Sequence, residues 1–290
     1  PALSGLFLCN CRGGNIMNKQ QPIGVIDSGV GGLTVLRRLQ ELMPHEHFIF
    51  LGDTLNTPYG NRSREDIIRL VNQMTDYLSY RNIKALVAAC NTITVLGEET
   101  IRNGHDFEVI GMAKGSKMIP RVTKTGRIGI MATDFTISTG AHKKEIQAAH
   151  PEYQVFGVGC PRLVPLIEHE QFGTAELKDA IKEYTDILKS HDVDTVMLSC
   201  THYPFLKKEI EAAMGPAVTV LDPAEVTAKK CRYDLCERDL LCKTGTGTTE
   251  ICFTTDLERG LRLASLMVDL SACRAHVVGL ERQDPAQKVG

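Results

Sequence analysis

Residues 85–90 read ALVAAC, a short apolar run that ends in a thiol and continues into Asn91-Thr92. Residues 195–200 read TVMLSC, which has the same pattern and continues into Thr201-His202. Each run predicts a buried strand that leads through a polar turn into a helix. Because open α/β sheets bind ligands at the carboxyl ends of their parallel strands, we expect Cys90 and Cys200 to face a crevice. A single buried cysteine usually only packs, so it is the pairing that indicates an acid and a base on opposite faces of one small molecule.

The sequence around the two cysteines repeats. A helical apolar quartet recurs 110 residues later, as Ile67, Val71, Met74, Leu78 and then Leu177, Ile181, Tyr184, Leu188. Three further strand-like runs also recur in order, 23–28 with 128–133, 48–50 with 155–158, and 109–111 with 218–221. Alternating β and α segments predict parallel sheets with helices on both faces. The expected fold is therefore α/β, with two pseudo-symmetric three-layer domains, mostly parallel central sheets and an active site at the domain interface.

The length of 290 residues also predicts about two domains. We expect a first α/β domain at 20–115 that is completed by 225–280, and a second at 116–224. A helical apolar pattern at Leu257, Leu261, Ala264 and 266–268 is expected to pack on the first domain. Residues 1–19 are interpreted as an N-terminal extension, with Met17 a natural start, and 281–290 as a flexible tail.

Charge and composition limit the classes of function. The net charge is −2 with acids and bases interspersed, which argues against binding to nucleic acid or to an anionic membrane. No apolar run approaches the roughly 20 residues of a membrane helix, and no secretory signal is visible. A reducing cytoplasm is the expected location, with free thiols rather than disulfides.

Cysteines near the C-terminus invite a zinc interpretation. Cys231, Cys236, Cys242 and Cys252 lack the C-x-x-C spacing of zinc knuckles, so we interpret them as packing or surface thiols and predict no metal and no cofactor.

The glycine-rich run DSGVGG at residues 27–32 does not fit nucleotide motifs. A G-x-G-x-x-G match needs glycine where Thr34 stands, and a P-loop needs a lysine that the run lacks. Its backbone N–H groups, at the start of a predicted helix, favour an anionic group such as a carboxylate. Asp27 and Ser28 are equally suited to capping that helix.

Polar residues follow both cysteines. His202 lies close enough to Cys200 in sequence to assist proton transfer, although a histidine before Tyr-Pro is more often structural. Asn91 and Thr92 hold the matching positions after Cys90 and supply hydrogen bonds for a substrate carboxylate.

Five ordered motifs resemble the glutamate racemase family over about residues 20–228. They are IGVIDSGVGGLTV at 23–35, GDT at 52–54 with PYG at 58–60, ACNT at 89–92, VPLIE at 164–168 and CTHYP at 200–204. The resemblance implies a cofactor-independent racemase that makes D-glutamate for bacterial peptidoglycan, with a small-molecule substrate. It also implies two α/β domains that face each other across the active site, usually in a homodimer.

The resemblance also assigns residues. It implies that Cys90 and Cys200 are the catalytic thiols, acting on D- and L-glutamate respectively. It implies that Asp27 tunes Cys90 and that Glu168 and His202 tune Cys200, while Asp53 holds a family position. The implied substrate contacts are Asp27, Ser28, Tyr59, Gly60, Asn91, Thr92, Thr201 and His202.

Alternative functions remain. The chain departs from the family pattern at Ser199, Ile93-Thr94 and Lys114-Gly115-Ser116, all beside the predicted pocket, so an aspartate or broader acidic amino-acid racemase is one alternative. A single-thiol hydrolase or decarboxylase and a ligand sensor on the same scaffold are two others. The matching polar turns after both cysteines favour the racemase.

Overall fold

The computed structural model describes residues 17–280, whose framework is two parallel β-sheets. The strands are β1 (Ile23–Asp27), β2 (Phe48–Gly52), β3 (Ala85–Ala88), β4 (Glu108–Gly111), β5 (Arg127–Ala132), β6 (Gln154–Gly159), β7 (Thr195–Ser199), β8 (Thr219–Leu221), β9 (Thr249–Phe253) and β10 (Cys273–Val277). The first sheet has the order β10-β9-β2-β1-β3-β4 and the second the order β6-β5-β7-β8.

The predicted repeat is visible in the strand order. β2-β1-β3-β4 in the first sheet corresponds to β6-β5-β7-β8 in the second, and each strand pairs in parallel with its neighbours. The chain leaves β1 on one side to form β2 and returns on the other side to form β3, which makes a topological switch point between β1 and β3. β5 and β7 form the equivalent switch point. The predicted α/β fold class is confirmed, and the switch points show where ligands should bind.

Helices cover both faces of each sheet. They are α1 (Leu33–Leu42), α2 (Arg64–Tyr80), α3 (Asn91–Thr94), α4 (Glu98–Arg102), α5 (Asp134–Thr139), α6 (Ala141–Ala149), α7 (Leu163–Glu168), α8 (Ala175–Lys189), α9 (Lys207–Met214), α10 (Ala224–Glu237) and α11 (Leu257–Ser265). Short 3-10 helices lie at Tyr59–Asn61, Ile119–Arg121 and Tyr203–Leu206.

The two long helices of the repeat form for the same reasons. Both predicted apolar quartets are buried, one on α2 and the other on α8. Ser63 caps α2 by accepting the backbone N–H of Asp66, and Thr174 caps α8 by accepting that of Leu177. The same cap and the same apolar stripe therefore orient the equivalent helix in each half.

Strands buried on both faces make the core of each half. In β1, Val25 belongs to a cluster with α1 and α10, whereas Ile26 belongs to a cluster with α2 on the other face of the sheet. Such strands are apolar throughout rather than alternating, as the run ALVAAC is. Rigid, fully buried strands of this kind hold their carboxyl ends in fixed positions.

The C-terminal part of the chain extends the first sheet. β9 pairs with β2, β10 pairs with β9, and Leu263, Ala264 and Val268 of the α11 region join the core of this sheet. Packing on the first sheet agrees with the predicted pattern, but Leu266 is 57% exposed and Leu263 takes the buried position instead. Ala264 and Val268, both in the predicted pattern, are buried in this core, so the predicted face packs on the sheet except at Leu266.

The proposed domain limits stay a prediction, as do those of the terminal segments. β1–β4, β9 and β10 form one sheet and β5–β8 the other. Most of the predicted extension at 1–19 and all of the predicted tail at 281–290 lie outside the described residues. Within residues 17–280, every helix is too short or too polar to span a bilayer.

Candidate active site

The two cysteines line one narrow cavity between the two sheets. Cys90 lies between β3 and α3, and Cys200 follows β7, so each thiol lies at a switch point. Cys90 and Cys200 are only 4% and 6% exposed. The cavity measures about 10 Å³, which is room for roughly one water molecule. Its lining consists of Ser28, Pro58, Tyr59, Gly60, Cys90, Asn91, Thr92, Thr133, Val164, Cys200, Thr201 and His202.

Cys90 is a buried thiol beside an acidic group. Its Sγ donates to Ser28 Oγ at 3.6 Å. Burial, reinforced by the negative charge of Asp27, raises the pKa of Cys90 to about 12. In this closed arrangement the raised pKa favours the neutral thiol at Cys90.

Asp27 joins the two halves of the site. Its carboxylate accepts the Gly29 backbone N–H at 2.9 Å and the Thr201 hydroxyl, from the second sheet, at 2.9 Å. Burial raises the pKa of Asp27 above its usual value, against the opposing effects of the His202 charge and these hydrogen bonds. The carboxyl group thus contributes to the raised pKa of Cys90, and its hydrogen bond to Thr201 holds the turn that follows Cys200.

Cys200 has a positive partner. His202 Nδ1 lies 4.0 Å from Cys200 Sγ, and His202 Nε2 lies 2.7 Å from Glu168 Oε1. Burial by itself would lower the pKa of His202, but its hydrogen bonds to Cys200 and Glu168 outweigh burial and hold that pKa well above its usual value. The imidazolium therefore places a positive charge beside the Cys200 sulfur.

Glu168 is the counter-ion of this imidazolium. Burial would raise the pKa of Glu168, but the hydrogen bond and charge of His202 overcome burial and lower it. Glu168 Oε1 also accepts the backbone N–H of Val30 at 3.2 Å, whereas Oε2 has no hydrogen-bond partner. The ion pair is therefore tied to the glycine-rich run of the first sheet.

The glycine-rich run works differently from the sequence expectation. Its N–H groups at Gly29 and Val30 are taken by the protein carboxylates of Asp27 and Glu168 rather than left for a ligand. A Cβ at Gly29 would lie 2.2 Å from Glu168 Oε1, and one at Gly31 would lie 2.5 Å from His202 Nδ1. The glycines allow the Glu168–His202 pair to approach the first sheet, a role that spacing alone could not reveal.

Asn91 is the most conspicuous unused polar group. The residue is 2% exposed, and neither its Oδ1 nor its Nδ2 has a hydrogen-bond partner. Buried polar atoms are nearly always paired, so an amide left unpaired on a cavity wall indicates a ligand contact. Its neighbour Thr92 has its Oγ1 3.0 Å from that of Thr133 across the interface.

Tyr59, Gly60 and Asp53 form a supporting wall. The Tyr59 hydroxyl donates to Asp53 Oδ2 at 2.6 Å, and Asp53 also accepts from the side chains of Asn56 and Thr254. Burial, together with the charge of Asp53, raises the pKa of Tyr59 well above its usual value, so the hydroxyl stays protonated. Asp53 does not line the cavity and contacts the cavity wall through Tyr59.

Thr133 is a site residue that the sequence reasoning missed. It lines the cavity at the end of β5 and contacts Thr92 and Thr136. A signal was available, because Thr133 is the repeat equivalent of Ser28 at the end of β1. Applying the repeat to the polar turns as well as to the cysteines would have found it.

Possible metal ligands lie elsewhere. Within residues 17–280, the side chains of Glu250, Cys252 and His276 form the one group of three or more whose donor atoms converge. Of the four C-terminal cysteines considered from sequence, Cys252 belongs to this group. Cys231 and Cys242 are buried and Cys236 is exposed, and these three do not join it.

The sequence was compared with protein families and with known proteins. Residues 23–231 match the Asp/Glu/Hydantoin racemase family. The chain is 40% identical over 233 residues to a glutamate racemase of Herpetosiphon aurantiacus, covering 80% of this chain and 92% of that protein. It is 36% identical over 256 residues to glutamate racemase 1 of Caldanaerobacter subterraneus subsp. tengcongensis, covering 87% and 94%.

Solved structures show the same likeness. Glutamate racemase isoform RacE1 from Bacillus anthracis superposes with a TM-score of 0.85 at 31% identity, covering 91% of this chain and 99% of that one. Glutamate racemase from Francisella tularensis subsp. tularensis, in complex with D-glutamate, superposes with a TM-score of 0.83 at 27% identity, covering 91% and 99%.

Proposed function

This chain belongs to the Asp/Glu/hydantoin racemase family, and we propose that it interconverts L- and D-glutamate with Cys90 and Cys200 as its acid–base pair. One observation carries the assignment of the two thiols: they follow equivalent strands of two different sheets and line the same cavity. Two thiols so placed can act on opposite faces of a single α-carbon.

The chemistry requires one group on each face. The α-hydrogen of an amino acid is a weak acid, so removal by a thiolate must be matched by proton delivery from a thiol on the other face. The old C–H bond breaks, its electron pair is captured by the new proton, and the configuration inverts. The two thiols supply both groups, so the mechanism needs no cofactor.

The surroundings of the thiols suit these unequal protonation states. Cys90 is neutral in the closed cavity, since burial and Asp27 raise its pKa to about 12. Cys200 Sγ lies 4.0 Å from His202 Nδ1, so the imidazolium faces the sulfur proposed to take the α-proton of L-glutamate. L-glutamate deprotonated by Cys200 and reprotonated by Cys90 gives D-glutamate, and the reverse reaction uses the opposite states.

Substrate binding falls to the polar groups around the cavity. We assign to Asn91 a direct hydrogen bond to the substrate, because both ends of its amide are unpaired. Ser28, Thr92, Thr201, Tyr59 and Gly60 complete the proposed contacts, with the Asp27 and His202 side chains behind them.

Substrate entry requires the two sheets to separate. Glutamate is several times larger than the single water that the cavity admits. The hydrogen bonds from Thr201 to Asp27 and from Val30 to Glu168 cross the interface and must yield or lengthen on opening. Closure on the substrate then excludes water, which strengthens the electrostatic effects of Asp27 and His202 on the thiols.

The biological setting follows from the family. We propose that the protein works in a reducing cytoplasm and that its product, D-glutamate, is used for peptidoglycan synthesis. We also propose that the protein is a homodimer. Sedimentation of the purified protein tests the dimer directly.

Racemisation in heavy water tests the function. L-Glutamate incubated with metal-free protein in D2O, without added cofactor, should become racemic and acquire deuterium at the α-carbon, as measured by chiral chromatography and mass spectrometry. A parallel incubation with L-aspartate distinguishes glutamate specificity from the broader acidic specificity. Loss of the amine or a carboxylate from the substrate would favour a hydrolase or decarboxylase. Binding without turnover would favour a sensor, and either result would overturn the proposal.

A further inference from the structure

Three side chains converge on one face of the first sheet near its edge. Glu250 and Cys252 are two residues apart on β9, so both project from the same face. His276 on β10 pairs in register with Cys252, and its ring turns toward them. β10 is the edge strand of the sheet, and His276 is exposed enough to be reached from solvent.

The distances among their donor atoms match a metal site. Cys252 Sγ lies 3.7 Å from His276 Nε2 and 3.5 Å from Glu250 Oε1, and His276 Nε2 lies 3.5 Å from Glu250 Oε1. Zn–S bonds near 2.3 Å and Zn–N or Zn–O bonds near 2.0 Å at tetrahedral angles give ligand separations of about 3.3–3.5 Å. The three atoms therefore need to move by only a few tenths of an ångström to share one ion.

Arg81 orients the carboxylate of this cluster. Its guanidinium donates to both oxygens of Glu250, at 2.9 and 2.7 Å. Each carboxylate oxygen accepts more than one interaction, so Oε1 keeps a lone pair for a cation. Carboxylates that bind metal ions are usually held by a hydrogen bond from a neighbouring group, as Arg81 holds Glu250 here. The positive charge of Arg81 also weakens the attraction of Glu250 for a cation. Binding would then depend mainly on the thiolate of Cys252, which favours a soft metal ion.

We propose that Glu250, Cys252 and His276 bind a divalent cation of the zinc type, with water as the fourth ligand. The mixture of thiolate, imidazole and carboxylate suits zinc better than magnesium or calcium. β9 is separated from β3 by β2 and β1, which is roughly 14 Å at the usual strand spacing. The ion ties the edge strand β10 to β9 and takes no part in proton transfer at Cys90 and Cys200.

Metal binding requires Cys252 to lose its thiol proton. A thiol binds zinc as the thiolate. The cation must displace the thiol proton to solvent, as coordinated zinc does.

Cobalt(II) is the probe that tests this site, because its absorption reports both geometry and thiolate ligation. The full-length protein, prepared without a histidine tag, should show a saturable thiolate-to-cobalt band and the visible bands of tetrahedral cobalt at one equivalent. Cys252→Ser should abolish the thiolate band, and His276→Ala should weaken cobalt binding by at least about tenfold. Zinc should displace the cobalt and raise the thermal midpoint of the wild type but not of the variants.

Two controls separate this cluster from other thiols. Cys236→Ser removes an exposed thiol outside the cluster, and Cys200→Ser removes one from the catalytic cavity, and both should keep the full band. Because His276 lies on the surface, His276→Ala should fold even if Cys252→Ser does not. The proposal is overturned if the wild type gives no thiolate band, or if the band survives unchanged in His276→Ala.

Discussion

The imidazole of His202 and the carboxylate of Glu168 form a buried ion pair, with 2.7 Å between Nε2 and Oε1. The other ring nitrogen of His202 points to Cys200 Sγ. Glu168 therefore reaches the thiol only through the histidine, and its contact with Nε2 leaves Nδ1 facing the sulfur. A residue that works in this way should be visible in a pH profile rather than in substrate binding.

Glu168→Gln should move the alkaline limb of the kcat profile to lower pH. In the wild type, the hydrogen bonds to Cys200 and Glu168 raise the pKa of His202, so its imidazolium persists until the pH rises through that value. Glutamine keeps the shape but loses the charge, so the imidazolium is lost at lower pH. We also expect kcat to fall by at least about tenfold, the effect of ~1.4 kcal/mol in the transition state.

Glu170→Gln is the matched control for this prediction. Glu170 lies two residues away and pairs with Arg262 on the surface. Its variant should keep the wild-type profile. An unchanged alkaline limb in Glu168→Gln would show that the ion pair is only structural.

Asn91→Ala should impair substrate binding without destabilising the protein. The amide has no partner in the free protein, so its removal breaks no hydrogen bond, and alanine is a good helix former at the start of α3. Lost hydrogen bonds to a charged substrate, at about 1.5–3 kcal/mol each, should raise KM by roughly 10–100-fold. Steady-state kinetics and urea unfolding measure the two effects.

Asn72→Ala provides the comparison, since Asn72 Oδ1 is also buried and unpaired but lies on α2, away from the cavity. It should leave KM unchanged. Equal KM values for Asn91→Ala and the wild type would remove Asn91 from the substrate contacts.

Sequence reasoning found the strands and thiols because both depend on local patterns. The apolar run before Cys90, the quartet that begins at Ile67 and the repeat of both are readable from residue type and spacing alone. Contacts between the halves were not readable. The close approach of Glu168 to Gly29 and the hydrogen bond from Thr201 to Asp27 depend on how the two sheets pack against each other. These residues are far apart in the chain, so no sequence spacing relates them.

The C-terminal thiols show the same limit. The spacing of Cys231, Cys236 and Cys242 lacks the zinc-knuckle pattern, and none of the three belongs to the Glu250–Cys252–His276 group. Spacing could not show that Cys252 meets His276, because that neighbour is set by the register of β10 against β9.

Lys84→Met should destabilise the protein by about 3–5 kcal/mol, the cost of leaving a buried charge without its partner. Lys84 and Glu46 are both fully buried, and Lys84 Nζ also donates to the carbonyls of Lys19 and Leu240. Glu46 in turn accepts the backbone N–H of Cys242, so the pair secures the segment before β9. Urea unfolding measures the loss.

A double variant isolates the charge effect. Lys84→Met with Glu46→Gln should recover part of the stability, because no uncompensated charge remains. Lys182→Met, in an exposed pair with Asp186, should leave the urea midpoint nearly unchanged. If the double variant is no more stable than Lys84→Met alone, lost packing rather than charge explains the effect.

Cys90→Ala and Cys200→Ala should each reduce racemisation by about 10²–10⁴-fold or more, because neither remaining sulfur reaches both faces of the α-carbon. Cys160→Ala is the matched control, since Cys160 is a third buried thiol at a strand end and does not line the cavity. It should retain racemisation. Chiral chromatography of the glutamate product measures all three.

A β-substituted substrate analogue separates the two thiols. Elimination of a leaving group needs only proton abstraction, so each single variant should still eliminate from one enantiomer through the thiolate that remains. Because Cys90 and Cys200 extend from different sheets toward one cavity, the two variants should prefer opposite enantiomers. The family resemblance assigns the D-enantiomer to Cys90 and the L-enantiomer to Cys200, so Cys200→Ala should eliminate from the D-form and Cys90→Ala from the L-form. The same preference in both variants, or near wild-type racemisation in either, would rule out the two-thiol mechanism for this protein.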